Sequence, residues 1–375
     1  MSDNREDMTK KLRVGIIFGG RNSEHEVSLL SAASVLKAID RRKFDVVPIG
    51  INKAGYWLTS GAAQGLLEGA AAQTPEPAIA LTHIEAAALD SHAALGGQSL
   101  DVVFPVLHGA FGEDGTVQGL FELAGMAYVG SGVLGSAAGM DKDVMKRLFA
   151  NAKLPMVKHV TLLRTEWEGA PKKAIARAEA ALKYPVFVKP ANAGSSVGIS
   201  KAHNRKELKA ALDLASRYDR KLLVEQGVGG KKTKAREFEV AVLGNDNPQA
   251  SVVGEIIPGK EFYDYEDKYL SEGAVPVVPA RLSKAEAKQI REMAIAAFRA
   301  CDLAGLARVD FLMEPEGKRR IFLNEVNTMP GFTMISMYPK LWEATGLSYK
   351  ELITRLIELA LERHAEKSRT VYSRE

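Results

Sequence analysis

The chain has 375 residues, 46% hydrophobic and 26% charged, a length beyond what one core organises and a composition that excludes disordered or fibrous classes. Its 50 lysines and arginines exceed its 46 aspartates and glutamates by four, spread along the chain with no basic block among aromatics, which argues against a nucleic-acid partner. No apolar run is long enough to span a membrane, the leading MSDNREDMTKK lacks a signal-peptide core, and the single cysteine, Cys301, reads as a small core residue; the expectation is a cytoplasmic protein of two or three domains.

In chain order, Leu12–Phe18 is a continuous apolar run ending in Gly19-Gly20, the pattern of a strand buried on both faces of a parallel sheet. Helical spacing over Ser28–Ile39 and a strand at Phe44–Ile51 complete a βαβ unit. Residues 60–98, rich in alanine and glycine with little pattern, predict either a variable insertion or a loosely built helix and loop. Val102–Leu107 and Thr116–Leu123 form a further strand–helix pair, and this first α/β domain, residues 1–139, closes near Gly139.

Residues 140–229 predict a helix over Asp141–Asn151, a strand near Met156–Leu162, a helix before Tyr184, the strand Pro185–Lys189, a glycine-rich loop Ala191–Gly198, a further helix and the strand Lys221–Gln226. That order is an α+β lobe rather than a second parallel layer. Residues 230–375 carry longer strands, Glu237–Leu243, Ala250–Ile257, Ala307–Glu314 and Arg320–Glu325, with helices at Lys284–Cys301 and Tyr349–Glu362. Order is expected to end with the charged tail after about Arg363 and to begin after the polar first ten residues.

Side chains able to do chemistry gather at the ends of these elements. Strand alternation puts Arg308 and Asp310 on one face, and Glu325 and Asn327 on one face of the next strand. Two carboxylates and an amide oxygen on neighbouring strands are hard-oxygen donors suited to Mg²⁺. Lys189 ends a buried strand, and the loop after it offers backbone N–H groups and the hydroxyls of Ser195 and Ser196 to phosphates, although its order is not that of a Walker loop. Glu225 and Glu237 can accept from an adenine amino group or ribose hydroxyls, as any acid at a strand end can. Glu24 stands before the first helix at the carboxyl edge of the parallel sheet, where it faces a ligand crevice and can take an ammonium, although the helix dipole favours an acid there regardless. His108 ends its strand at the same edge. Phe262–Tyr269, three tyrosines among charges, reads as a lid.

Six motifs follow one another over residues 11–364: Gly19-Gly20 with Ser23-Glu24-His25-Glu26-Val27-Ser28, Leu107-His108-Gly109 with Gly112-Glu113-Asp114-Gly115, Met140-Asp141-Lys142, Val188-Lys189-Pro190 with Gly194-Ser195-Ser196-Val197-Gly198, Phe262–Tyr269, and Asn324-Glu325-Val326-Asn327 running on to Gly331. In this ordered set the chain resembles the D-alanine–D-alanine ligases. The resemblance implies an ATP-grasp fold, α/β and α+β, with an N-terminal Rossmann-like parallel-sheet domain and ATP between the central and C-terminal lobes. It implies ATP-dependent joining of two D-alanines through D-alanyl phosphate, for peptidoglycan precursor synthesis, with two Mg²⁺ (or Mn²⁺) ions and a homodimer.

Site roles follow from the same resemblance. Lys142 and Lys189, with Ser195 and Ser196, match phosphate contacts, and Glu225 and Glu237 match the adenine and ribose end. Asp310, Glu325 and Asn327 match the metal ligands. Glu24 matches the carboxylate that takes the first D-alanine's ammonium, linked to Ser195 and Tyr269, with His108 beside that substrate. Arg308 and the Gly331 N–H match the oxyanion donors, and Lys268 and Ser336 match the groups that receive the second D-alanine's carboxylate. The Lys268-Tyr269 pair favours an amino acid over D-lactate as second substrate, while the stretch Gly331–Met337 varies around that pocket. The alternatives are ligation to D-lactate or D-serine, a different ATP-grasp enzyme, and an inactive ATP-binding scaffold.

Overall fold

A computed structural model of the chain describes residues 11–58, 60–68, 99–229, 233–258 and 274–374. The first apolar run forms β1 (Leu12–Gly19), paired in parallel with β2 (Phe44–Ile51) and with β3 (Val102–Val106), in the order β2-β1-β3. Helices α1 (His25–Ala38), α2 (Ser60–Leu67), α3 (Thr116–Leu123) and α4 (Val133–Met140) accompany it. Val14, Ile16 and Phe18 pack with Ala32 and Val35 of α1, while Ile17 and Val103 pack with Val117 and Phe121 of α3. Burial on both faces is why β1 shows no alternation. Helix α1 starts at His25 rather than at Ser28, because the Ser28 amide already bonds the Glu24 carbonyl at 3.0 Å and closes a first turn there. Of residues 60–98, the first eight form α2, and 69–98 lie outside the described residues.

Next come α5 (Lys142–Asn151), β4 (His159–Leu163), α6 (Arg164–Gly169), α7 (Pro171–Ala181), β5 (Val186–Pro190), β6 (Ser200–Ala202), α8 (Arg205–Ala215) and β7 (Lys221–Gln226). The four strands make an antiparallel sheet in the order β4-β7-β5-β6. Val186, Val188, Leu222 and Val224 pack on Trp167, Ile175, Leu208 and Leu212 of the helices. The short strand β6 is too brief to show a pattern in sequence.

The remainder forms β8 (Arg236–Gly244), β9 (Gln249–Ile257), β10 (Val275–Val277), α9 (Lys284–Ala300), β11 (Gly305–Met313), β12 (Ile321–Asn327), α10 (Met337–Thr345) and α11 (Tyr349–Lys367). Its five strands are antiparallel in the order β10-β9-β8-β11-β12. Ala307, Val309, Phe311 and Met313 alternate into a core with Ile290, Ala294 and Phe298 of α9, and Met145 and Phe149 of α5 join the same core. Cys301 is buried there, with its thiol pushed up to about 12 by burial, in keeping with a core residue.

Helix α11 runs past Arg363, where order was expected to end. Arg363 donates to the Tyr128 carbonyl at 3.1 Å and Lys367 to Glu122 at 2.5 Å, so the charged tail is anchored on the N-terminal domain. The two ends of the chain also share apolar packing. Phe104 of β3 meets Phe332 edge-on at 5.7 Å, and Phe332 in turn lies against Tyr338 and Tyr349. No helix among the described residues is long and apolar enough to cross a membrane.

Candidate active site

Three loops meet at Glu24. The carboxylate is buried and accepts a hydrogen bond from Ser195 Oγ, which joins the glycine-serine loop to the start of α1. Two glycines make room for it: a Cβ on Gly109 would stand 2.2 Å from Glu24 Oε2, and one on Gly194 would stand 2.6 Å away. Asn22 fixes the approach from below, donating to the carbonyls of His108 at 2.7 Å and Ala110 at 2.6 Å and accepting from the Glu24 amide at 2.9 Å. Ser195 and Ser196 both adopt left-handed backbone, at φ 47° and 60°. Side chains other than glycine avoid this region, and it is occupied where the surroundings over-determine it, as at functional loops.

His108 is buried, its Nδ1 2.9 Å from the Met329 carbonyl and its Nε2 3.1 Å from Ser31 Oγ. Burial pulls its pKa below the ordinary imidazole value against the opposing charge of Glu24, which favours the neutral ring. Glu113 accepts from the Gly109 amide at 2.8 Å and from the Met329 amide at 3.1 Å. Burial, reinforced by the negative charge of Glu24, pushes its carboxyl up to about 8. His108 and Glu113 thereby latch the loop after β3 to the segment Thr328–Gly331. Gly331 in turn lies beside Ser336, at the N-terminus of α10, whose Oγ accepts from the Thr333 amide at 3.1 Å.

A cleft separates the four-stranded and five-stranded sheets. Phe187, Lys189 and Glu225 line one wall, and Glu237, Glu239, Arg308, Asp310 and Glu325 line the other, with Ser196 at the rim. Lys189 Nζ is 2.6 Å from Glu225 Oε2 and Lys146 Nζ is 2.6 Å from Glu225 Oε1. Burial alone would raise the Glu225 carboxyl, but the two ammonium groups hold it well below the usual carboxylate range. Burial likewise disfavours the Lys189 ammonium, yet Glu225 and Glu325 outweigh it and keep the group above its ordinary value. Lys142, buried at the first turn of α5, donates to the Ala193 carbonyl at 2.9 Å and lies 3.6 Å from Glu325. A small cavity bounded by Glu113, Lys142, Gly194, Glu325 and Asn327 lies between this cleft and the Glu24 loops.

The strand pairing aligns the predicted metal-ligand set. Arg308 stands opposite Asn327 and Asp310 opposite Glu325 across β11 and β12. Arg308 grips Asp310 with two bonds of 2.7 Å and reaches Glu239 at 3.2 Å, while the Asn327 amide donates to Asp310 at 2.9 Å. Among the described residues no three carboxylates, histidines or cysteines cluster for a metal. Two carboxylates and an amide fit Mg²⁺, which takes one or two carboxylates plus phosphate oxygens rather than an all-protein cage.

The structure therefore gathers Lys189, Ser196, Glu225, Glu237, Arg308, Asp310 and Glu325 at the cleft and Lys142, Glu325 and Asn327 at the small cavity beside it, with Glu24 reached through Ser195 and Gly194, His108 bonded to Met329, and Gly331 beside Ser336. Lys268, Tyr269 and the whole Phe262–Tyr269 lid lie outside the described residues. Glu225 sits deeper than a surface acid at the nucleotide's base end, bonded to both lysines. Two residues were not singled out from sequence, Glu113 and Lys146. Glu113 lay inside a quoted motif, and Lys146 follows Lys142 by one helical turn, a spacing that put it on the same face. A wider cavity of about 530 Å³ lies by Arg21, Trp57 and Phe111, and among the described residues no carboxylate, lysine or histidine lines it.

Comparison with known proteins gives this geometry a context. Residues 13–131 match the family profile described as D-ala D-ala ligase N-terminus, and residues 148–358 match the one described as D-ala D-ala ligase C-terminus. The chain is 50% identical to the D-alanine–D-alanine ligase of Chloroherpeton thalassium, with 96% of this chain and 99% of that protein covered. It is 48% identical to the one from Geobacillus thermodenitrificans, with 97% and 99% covered. Among solved structures it resembles a D-Ala:D-Ser ligase from Enterococcus faecalis, at a TM-score of 0.80 and 38% identity over 94% of this chain and all of that one. It also resembles the D-alanine–D-alanine ligase of Coxiella burnetii, at 0.77 and 34% over 96% and 97%.

Proposed function

The chain belongs to the D-alanine–D-alanine ligase family, and from that membership we infer its chemistry: it joins two D-alanines into D-alanyl-D-alanine at the expense of ATP, for peptidoglycan precursor synthesis. The fold is the ATP-grasp fold of that family, with a parallel-sheet domain in front. The observation that carries the site reading is the Ser195–Glu24 hydrogen bond, which joins a loop suited to phosphate to a carboxylate suited to an amine.

ATP lies in the cleft with its phosphates on Lys142, Lys189 and the Ser195-Ser196 loop and its ribose toward Glu237, while Glu225, expected at the base end, has both oxygens held by Lys146 and Lys189 and acts through them. Asp310, Glu325 and Asn327 would hold magnesium or manganese, which would supply positive charge against the phosphates. The first D-alanine sets its ammonium on Glu24, beside His108. One of its carboxylate oxygens attacks the γ-phosphorus, ADP leaves, and D-alanyl phosphate forms. The second D-alanine, its carboxylate received by Ser336 and Lys268, attacks the acyl carbon through its amine, and phosphate departs from the tetrahedral adduct. Arg308 and the Gly331 N–H steady the oxyanion, where loss of one donor typically costs about 3–4 kcal/mol.

Three domains, residues 1–139, 140–229 and 230–375, supply these parts. The reading extends to a cytoplasmic homodimer, for which Leu123 and Leu134, exposed on α3 and α4, give the N-terminal domain an apolar surface. The test is phosphate release and product analysis with ATP, Mg²⁺ and D-alanine, L-alanine, or D-alanine with D-serine or D-lactate. Phosphate and dipeptide from D-alanine alone are expected. Release only with D-serine or D-lactate present would replace the second substrate, and no release with any of them would overturn the assignment.

A further inference from the structure

Lys146 has no part in the chemistry just described. Its side chain is 1% exposed and does not line the cleft, so it is not a contact of the nucleotide. Burial pulls its pKa below the ordinary lysine value against the attraction of Glu225, and its partners are those of a phosphate lysine. Lys146 holds Glu225 Oε1 at 2.6 Å, and Lys189 holds Glu225 Oε2 at 2.6 Å. The same two lysines share Asn324, Lys146 through the backbone carbonyl at 3.2 Å and Lys189 through the side-chain oxygen at 3.3 Å. A bulge makes that possible. Pairing passes from Asp310↔Glu325 to Phe311↔Leu323, so Asn324 has no ladder partner on β11 and its carbonyl is available to Lys146.

We propose that Lys146 is a positioning residue for ATP: it anchors one oxygen of Glu225 and the Asn324 bulge, so that Lys189 keeps its ammonium at the phosphate end of the cleft. The inference rests on the assignment of Lys189 to phosphate above. Two ammonium groups and one carboxylate leave the cluster with one positive charge. Without Lys146 the cluster is neutral, and Glu225 offers both oxygens to Lys189 alone. A buried carboxylate with one remaining partner draws that partner in, because nothing else offsets its desolvation. Lys189 is then turned from the cleft, and a polyanion loses both a contact and the net charge that favours it.

The test compares Lys146→Gln and Lys146→Arg with wild type in the ligase assay and in calorimetric titration with Mg·ATP alone. Lys146→Gln should raise the KM and dissociation constant for ATP roughly 10- to 100-fold, the range for a charge-assisted contact, with the KM for D-alanine within about twofold. Lys146→Arg should recover most of that loss. In a Glu225→Gln background, Lys146→Gln should add less than about a threefold change in ATP affinity, since its carboxylate partner is gone and only the Asn324 anchor remains. This pair also serves if Lys146→Gln alone does not fold, because it leaves no unpaired buried carboxylate. ATP affinity unchanged by Lys146→Gln, losses that fall equally on ATP and D-alanine and track thermal stability, or full additivity with Glu225→Gln would each overturn the proposal. A wild-type chain silent with D-alanine would instead sink the ligase assignment, and ATP titration would still decide the role of Lys146.

Discussion

Glu24 owes its place to residues that have no side chain to offer. Gly194 leaves its carboxylate 2.6 Å clear of where a Cβ would stand, and Gly109, at φ 72°, leaves still less. Gly194→Ala has no left-handed backbone to oppose it, so the added methyl acts on the carboxylate and the Ser195 bond rather than on the fold. The expected result is a drop of about tenfold or more in kcat/KM for D-alanine, the scale of a misplaced reactant, with the melting temperature little changed. Equal kcat/KM would mean the loop moves aside at no expense to the site. Glu113 makes a second residue-scale prediction, in pH. Its carboxyl titrates at about 8 in the folded chain against an ordinary 4.5, so the folded state binds the proton more tightly than the unfolded state. The stability this confers is complete below pH 4.5 and is lost as pH rises through 8. Glu113→Gln removes one acceptor from the Gly109 and Met329 amides, costing about 1–3 kcal/mol, but it cannot ionise. The gap in melting temperature between wild type and Glu113→Gln should therefore be widest near pH 5 and narrow toward pH 9. A constant gap would show that Glu113 does not titrate in that range.

Elements were legible in the sequence where a pattern repeats and illegible where a contact across the chain decides. The Arg308/Asp310 and Glu325/Asn327 faces followed from alternation alone, and the observed register pairs them directly. The bulge at Asn324 did not, because one extra residue leaves no mark in apolar spacing, and with it went the partners of Lys146. Helix α10 and the end of α11 were missed for a similar reason: Tyr338 and Trp342 of α10 are buried against β8, β9 and α11, and Lys367 is held by Glu122. Helix α5 shows the opposite case, a boundary visible in sequence that also places chemistry. Asp141 caps it, accepting from the amides of Asp143 and Val144 at 3.1 Å, while its other oxygen binds Lys221 and Asn192 of the neighbouring strand and loop. Losing such a cap costs about 1–2 kcal/mol. Asp141→Ala should lower stability in urea by that order and raise the KM for ATP, because α5 carries Lys142. Asp141→Asn keeps the cap and loses the ion pair, so it should retain most of the stability. Equal losses in both variants would assign the stability to the Lys221 pair rather than to the cap.

At the scale of the molecule, apolar packing joins parts that sequence order keeps far apart. The four-stranded sheet and its helices close a core of their own around Trp167, Val188 and Leu212. The parallel sheet does so on one face only, around Ile17, Val103 and Phe121, and on its other face it does not. Its Phe104 and Val106 lie in one cluster with Phe332, Tyr338, Leu341, Leu352 and Leu356, so the first strands and the last helices bury each other. Phe332 is the hinge of this packing: it meets Phe104 at 5.7 Å, its carbonyl accepts from Tyr349 Oη at 2.6 Å, and it follows Gly331 directly. A fully buried phenylalanine replaced by alanine costs about 3–5 kcal/mol, through lost transfer energy and the cavity left behind. If the N-terminal sheet and the five-stranded sheet unfold as one unit, Phe332→Ala lowers a single calorimetric transition that carries both, and limited proteolysis opens both ends of the chain together. Trp167→Ala should act differently, since its core is separate, and should loosen the central lobe while leaving that joint transition in place. Phe332→Leu keeps most of the volume and should keep most of the stability. If Phe332→Ala instead splits the main transition, so that the N-terminal sheet melts first and the C-terminal helices later, the two ends are independent domains in contact. The segment Thr328–Gly331 would then be held to the N-terminal sheet by polar bonds across the seam, those of Glu113 and His108 to Met329 first among them.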